Sequence, residues 1–245
     1  MKKILLSLLS LLLGLSGNAQ LKSPSDFLGY ELGTKFTRHH QVIDYVNHVA
    51  ENSDFAQTTP YGKTNEDRTL QLVYLSAPEN LAQLETMRKD HLRSIGYAEG
   101  AKETTKGFSI VWLSYNVHGN ESTSTEAALK TLHTLVTEKQ DWLENLIVIL
   151  DPCINPDGRD RYVNWYNQVK STPFDSSPLA NEHFEDWPGG RYNHYYFDLN
   201  RDWAWLSQKE SQQRLPNYLA WMPQIHVDFH EQGVDSPYYF APAVE

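Results

Sequence analysis

Two short stretches of the chain place imidazole and carboxylate side chains at spacings that suit a metal ion. In Asn116-Val117-His118-Gly119-Asn120-Glu121, His118 and Glu121 stand three apart, after a β-branched and aromatic run and before a helical pattern. A turn from strand to helix can aim both side chains at one point. In Ile225-His226-Val227-Asp228-Phe229-His230-Glu231, His230 closes a second strand-like run. His118, Glu121 and His230 make a set of two histidines and one carboxylate, which with one open position is what a catalytic Zn²⁺ takes. Zn²⁺ lowers the pKa of a coordinated water toward about 7, so a nucleophile becomes available at neutral pH. His226 and Asp228 precede His230 by four and two residues, and on a strand all three share a face. His226 therefore competes as a ligand. His230 is favoured because sites in open α/β sheets lie at strand ends. The zincin helix motif is excluded, since Val234 stands where its second histidine would be.

The elements that must position these residues are legible in the hydrophobic pattern. Thr69 to Ser76, Phe108 to Leu113, Leu146 to Leu150 and Gln224 to Phe229 read as short buried strands. His39 to Asn52 carries Val42, Val46 and Val49 at helical spacing, Asn80 to Leu92 reads as helical, and Ser122 to Lys139 carries Ala128, Leu132 and Leu135. Thr123 and Glu126 fit a capping box at the start of that last helix. Thr59-Pro60-Tyr61-Gly62 reads as a turn, and the aromatic-rich stretch from Ser171 to Trp205 as long loops. Strands alternating with helices predict an α/β fold, a mixed and mostly parallel sheet with helices on both faces.

Two more motifs raise the specificity of the signal. Asn155-Pro156-Asp157-Gly158-Arg159 follows the third strand, and Asp198-Leu199-Asn200-Arg201-Asp202 lies in the aromatic region. In order along the chain, H-x-x-E, N-P-D-G, L-N-R and a strand-end histidine resemble the zinc carboxypeptidases of the M14 (funnelin) family. The resemblance runs from Asn116 to His230, about half of the chain, and a weaker similarity to large secreted bacterial members reaches back to Gly29. It implies one Zn²⁺ held by His118, Glu121 and His230, and a grip on the substrate's terminal carboxylate by Asn200 and Arg201. An Arg fork and an Asn amide suit that task. It also implies an oxyanion-stabilising arginine after N-P-D-G. Arg159, Arg161 and Arg191 are candidates, and Arg161 is the preferred one. The family's general-base Glu should lie well beyond the third ligand, yet only 15 residues follow His230. The expectation is therefore a catalytic domain incomplete at its C-terminus, its first two-thirds within residues 20–245, with the general base absent and little turnover from the chain alone.

Composition bounds the remaining possibilities. The 245 residues are 40% hydrophobic and 21% charged, which is globular rather than disordered. Lys and Arg number 21 against 31 Asp and Glu, a net charge of −10, which disfavours nucleic acid as a partner. The single cysteine, Cys153, excludes an internal disulfide. Lys2 and Lys3, the apolar run Ile4–Leu15 and the small residues Gly17 and Ala19 read as a cleaved secretory signal over residues 1–19, with no stable membrane anchor. The function expected is thus a secreted or periplasmic zinc metallocarboxypeptidase acting on peptides with a free C-terminal carboxylate. The alternatives are a cell-wall peptide carboxypeptidase, an N-acyl amino acid deacylase, and a non-catalytic relic that binds zinc or peptide.

Overall fold

The computed structural model describes residues 20–103 and 107–233; the segment read as a secretory signal and Glu245 lie outside them. Five strands form one sheet: β1 (Ala56–Lys63), β2 (Thr69–Leu75), β3 (Ser109–Tyr115), β4 (Leu146–Asp151) and β5 (Ile225–Phe229), in the order β1-β2-β4-β3-β5. On one side of the sheet β1·β2 and β2·β4 are antiparallel, and on the other β4·β3 and β3·β5 are parallel. The mixed α/β sheet expected from the sequence is what forms.

Alternation along the central strands divides the interior into two layers. Val73, Leu75, Val148 and Leu150 face α2 (His39–Asn52) and α5 (Thr123–Thr137), where Val42, Val46, Val49, Leu129 and Leu132 complete a core. Leu72, Tyr74, Ile110, Trp112, Ile147 and Ile149 face the other way, onto Met87 of α4 (Leu84–Ser94) and Trp221 of α8 (Lys209–Trp221). Strands buried on both faces read as continuous apolar runs, as β4 does in Leu146–Leu150. Three short elements complete the helices: α1 (Pro24–Leu28), α3 (Pro78–Leu81) and α6 (Gln140–Leu143); α7 (Pro156–Val169) is longer. Among the described residues no helix is long and apolar enough to cross a membrane.

Three local readings change. The supposed turn at Thr59–Gly62 is part of β1, an edge strand that tolerates Pro60 because its register shifts between Pro60 and Gly62. The helix read over Asn80–Leu92 is two helices, α3 and α4, with a break near Gln83, whose backbone is not helical. The capping box does not form: α5 has no side-chain cap at Ser122, and Glu126 points inward instead. Its carboxylate receives the Thr37 amide at 2.6 Å, the Thr37 hydroxyl at 2.7 Å and the Arg159 guanidinium at 2.7 Å. Arg159 is fully buried and also donates to the carbonyls of Thr37 and Ser122 and to Asn116 Oδ1. This pair ties α5, α7 and the segment before α2 together. Asp160 adds a second tie by accepting the His39 amide at 2.8 Å, at the α2 N-terminus where Arg38 offers no cap.

Removing one member of a buried ion pair leaves the other uncompensated, at a loss of about 3–5 kcal/mol, whereas replacing both by apolar groups is far milder. Glu126→Ala should therefore lower the urea midpoint sharply, and adding Arg159→Met should recover much of it. A Glu126→Ala midpoint equal to the parent's would show that the pair does not clamp these helices.

Candidate metal centre

The parallel strands β3 and β5 end level with each other, Tyr115 opposite Phe229, and the two rings stack with centroids 4.2 Å apart. Each strand then delivers one arm of the site. After β3 the chain turns sharply at Asn116, whose φ of 59° lies in the left-handed region. Asn116 is fully buried, and its side-chain amide donates to the carbonyls of His118 and Glu121 at 2.7 and 3.0 Å. Those bonds hold the turn closed. Gly119 is required within it, because a Cβ there would stand 2.3 Å from the Arg159 nitrogen and 2.4 Å from the Gly190 carbonyl oxygen.

The N-P-D-G segment backs this turn. Asn155 caps α7 by accepting the Gly158 amide, and its own amide donates to the carbonyls of Val117 and Arg191. Pro156 sits at the first helical position, where its missing N–H is harmless. Asp157 accepts from the Thr64 hydroxyl and Arg68. The motif is thus structural: it packs β4, α7 and the 190 loop behind the H-x-x-E turn.

At the centre, His118, Glu121 and His230 present one ligand atom each, all within 4.8 Å of one another. Glu121 bridges the imidazoles: Oε1 lies 2.8 Å from His118 Nδ1, and Oε2 lies 3.1 Å from His230 Nδ1. The Glu231 amide donates to Oε2 at 2.9 Å. Each far ring nitrogen meets another carboxylate, His118 Nε2 at 3.1 Å from Asp198 Oδ1 and His230 Nε2 at 3.2 Å from Asp228 Oδ2. Carboxylates behind imidazoles are the usual backing of metal-bound histidines, fixing tautomer and ring orientation. Two inward Nδ1 atoms and one carboxylate therefore fit Zn²⁺ as a donor set. Burial works to raise the pKa of Glu121, but hydrogen bonds from His118, His230 and the Glu231 amide outweigh it and hold the carboxyl down to about 2. His230 is pushed up to about 10 by its bonds to Asp228 and Glu121, against the effect of burial.

A sequence profile of the M14 peptidases, described as zinc carboxypeptidases, matches residues 42–219. The chain belongs to the zinc carboxypeptidase family. Solved structures of similar fold include a carboxypeptidase A from Helicoverpa armigera, with a TM-score of 0.57 and 17% identity over 94% of this chain and 53% of that one. A metallo-carboxypeptidase from Burkholderia cenocepacia is similar with a TM-score of 0.51 and 18% identity, over 82% of this chain and 41% of that one. The chain spans about half the length of these structures. No curated protein sequence matches it significantly.

The other residues singled out in the sequence fall as follows. His226 stays out of the cluster, with Nε2 2.9 Å from Ser114 Oγ and its ring between Trp203 and Tyr218. Arg161, the preferred oxyanion candidate, is committed elsewhere: it donates to the carbonyls of Gly189, Tyr192 and Asn193 and so staples the aromatic loop to α7. Arg159 is sequestered by Glu126. The arginine beside the cluster is Arg191, with NH1 3.8 Å from Glu121 Oε1 and NH2 3.0 Å from Asp198 Oδ2. Asp198, unassigned from sequence, joins the parts of the centre: it backs His118, pairs with Arg191 and caps the short turn Leu199–Arg201 by accepting the Asn200 amide. That turn holds Asn200 and Arg201 near the cluster, with Arg201 exposed. The D-x-N-R spacing was the signal available for Asp198. A further group, Glu66, Asp157 and His194, lies close together, but Arg68 already donates to both of its carboxylates and supplies the positive charge there.

The two shifted groups set a pH window for the metal-free fold. A depressed carboxyl stabilises above its ordinary value of 4.5, and the effect is lost as pH falls toward about 2. A raised imidazole stabilises fully below its ordinary value of 6.5, and the effect is lost as pH rises toward about 10. With chelator present, the Tm difference between the parent and His230→Ala should hold level below the ordinary value of 6.5 and close as pH rises toward about 10. A difference that does not close at alkaline pH would contradict the His230 pairing.

Proposed function

We propose that the chain carries the metal centre and the carboxylate-docking turn of a zinc metallocarboxypeptidase that removes C-terminal residues from peptides. One observation carries the reading. In a chain of the zinc carboxypeptidase family, two imidazoles and a carboxylate from separate strand ends meet at one point, each imidazole backed by its own carboxylate. His118, Glu121 and His230 would hold the ion. The chemistry a bound Zn²⁺ supplies is Lewis-acid polarisation of a carbonyl and a nucleophile at neutral pH. Arg191, rather than Arg161, would stabilise negative charge developing on the scissile carbonyl oxygen, since its guanidinium borders Glu121. Asn200 and Arg201 would dock the substrate's terminal carboxylate and so make the enzyme an exopeptidase. Export through the N-terminal signal is part of the same proposal.

Proton transfer to the leaving amine needs a carboxylate that is not otherwise engaged. Among the described residues those near the cluster are taken. Asp198 and Asp228 back the imidazoles, and Glu231 accepts the Thr123 amide at the α5 N-terminus at 2.7 Å. The proposed base is therefore contributed from outside these residues, and general acid–base help of this kind is worth about 10²–10⁴ in rate.

The purified chain should bind one zinc, His118→Ala should abolish that stoichiometry, and peptide hydrolysis by the parent should be slow. Unchanged zinc content in His118→Ala would refute the site. Rapid, chelator-sensitive release of C-terminal residues would instead identify Glu231 or Asp228 as a working base.

A free carboxylate is the feature that Arg201 should read. Peptides with an amidated C-terminus should bind more weakly than free acids by about 1.5–3 kcal/mol, the net value of hydrogen bonds to a charged group. Arg201→Met should erase the difference. Equal affinity of the parent for acid and amide would exclude carboxylate docking at this turn.

A further inference from the structure

The L-N-R turn is tied down at both ends, which leaves one torsion free. Asp198 Oδ1 accepts the Asn200 amide at 2.9 Å and lies 3.1 Å from His118 Nε2, so the turn stands one oxygen away from the cluster. Asp202 is fully buried, accepts the Ser207 and Gln208 amides at 2.8 Å, and joins the turn to the start of α8. The backbone of Asn200 is thus held. Its side-chain amide is not held by sterics, because the last torsion of asparagine is soft and roughly two-fold. The two ends of that amide differ in chemistry: the oxygen only accepts and the nitrogen only donates. A carboxylate can be gripped by the donor end alone.

Trp203 decides which end is free. Its indole nitrogen lies 3.2 Å from Asn200 Oδ1. An indole N–H only donates, so the atom it meets must be the amide oxygen. Nδ2 then has no hydrogen-bond partner among the described residues, and it is not one of their buried unpaired atoms. The indole is itself clamped. The Arg214 guanidinium carbon of α8 lies 3.7 Å from its ring centroid, and the His226 imidazole meets it edge-on at 5.4 Å. Arg214 is fully buried, and His226 Nε2 is 2.9 Å from Ser114 Oγ of β3, so both neighbours are anchored. His226, which stays out of the metal cluster, is a wall for this ring.

We propose that Trp203 is a positioning residue for carboxylate docking: its indole N–H holds the Asn200 oxygen and leaves the amide NH₂ to the substrate's terminal carboxylate. This rests on Asn200 and Arg201 being the docking pair. Without the indole N–H the amide turns over in part of the molecules. Its oxygen then faces the carboxylate, acceptor against acceptor, and a free acid is repelled. A C-terminal amide carries N–H donors of its own and is not repelled. Trp203 therefore sets the choice between a free and a blocked C-terminus, not the general strength of peptide binding.

The test is the affinity of the zinc-loaded full chain for N-acetylated dipeptides, each as the free acid and as the C-terminal amide, measured by calorimetry. Trp203→Phe keeps an aromatic ring beside Arg214 and removes the N–H. It should lower the acid-over-amide preference about fivefold, the net worth of one ordinary hydrogen bond. The acid should weaken while the amide binds as before or more tightly, a split that general loss of structure would not give. Asn200→Ala should also lower the preference, and adding Trp203→Phe to it should lower it no further. A second readout needs neither peptide nor that variant: in nitrogen–proton NMR spectra the Trp203 indole signal should move upfield in Asn200→Ala. An unchanged preference in Trp203→Phe, acid and amide weakening together, or an unmoved indole signal overturns the proposal. If the parent shows no preference for the free acid, the docking reading itself fails. If Asn200→Ala loses the preference and Trp203→Phe keeps it, docking stands and only the role of Trp203 fails.

Discussion

Two side chains more than 100 residues apart, His118 and His230, can meet at one point only if the strands that carry them end at the same height. That constraint organises the molecule. The parallel register of β3 and β5 sets Tyr115 opposite Phe229, and their stacked rings lock it. A shift by one residue would turn every side chain of β5 to the opposite face and take Asp228 and His230 away from the cluster. β3 is itself held between two parallel partners, β4 and β5, and is covered on both faces. One arm of the site therefore inherits its position from a strand held inside the sheet. The turns that finish the work, at Asn116 and after Phe229, have only short distances to span.

The polar groups near the site are mostly occupied in holding one another. Asn116 illustrates the economy of this arrangement. Its amide closes the H-x-x-E turn, and its carbonyl oxygen accepts from Thr125 and Arg159. Asn155 and Gly158 do the same from the N-P-D-G side: the asparagine bonds across to Val117 and Arg191, and the glycine gives room for the carbonyls of Gly190 and Tyr192. The four motifs that marked the family in sequence thus divide into two kinds. H-x-x-E and the strand-end histidine present chemistry. N-P-D-G and most of D-L-N-R present backbone and second-layer contacts that fix where the chemistry stands.

This division explains what could be read from the sequence. The convergence of His118, Glu121 and His230 is legible because ligand-type residues at strand ends have few other uses together, and because β3 and β4 are apolar on both faces and announce themselves. β1 was not, since an edge strand carrying Pro60 and Gly62 has the composition of a turn, and only pairing with β2 makes it a strand. The capping box failed because Thr123 and Glu126 satisfy its local pattern while a buried guanidinium 33 residues away outbids the backbone for Glu126. Arg161, like Arg159, lies close after N-P-D-G in sequence. On α7, Arg161 instead reaches the loop carbonyls, and the loop brings Arg191 to the cluster. Contacts between distant segments decided each of these cases, and no local pattern encodes them.

The aromatic stretch before the L-N-R turn shows the same logic at the surface. Phe184, Trp187 and Tyr195 are largely exposed, so hydrophobic burial does not fix this segment. Its backbone does. Arg161 gathers three of its carbonyls, Asn155 takes that of Arg191, and the Gly190 amide reaches Glu185. Glu185 in turn accepts from Asn120, within the H-x-x-E turn. A loop anchored through main-chain bonds can vary its side chains without moving the residues it carries. Arg191 and Asp198 can then stay fixed against His118 and Glu121 while the exposed aromatics beside them remain free to meet whatever approaches the cluster.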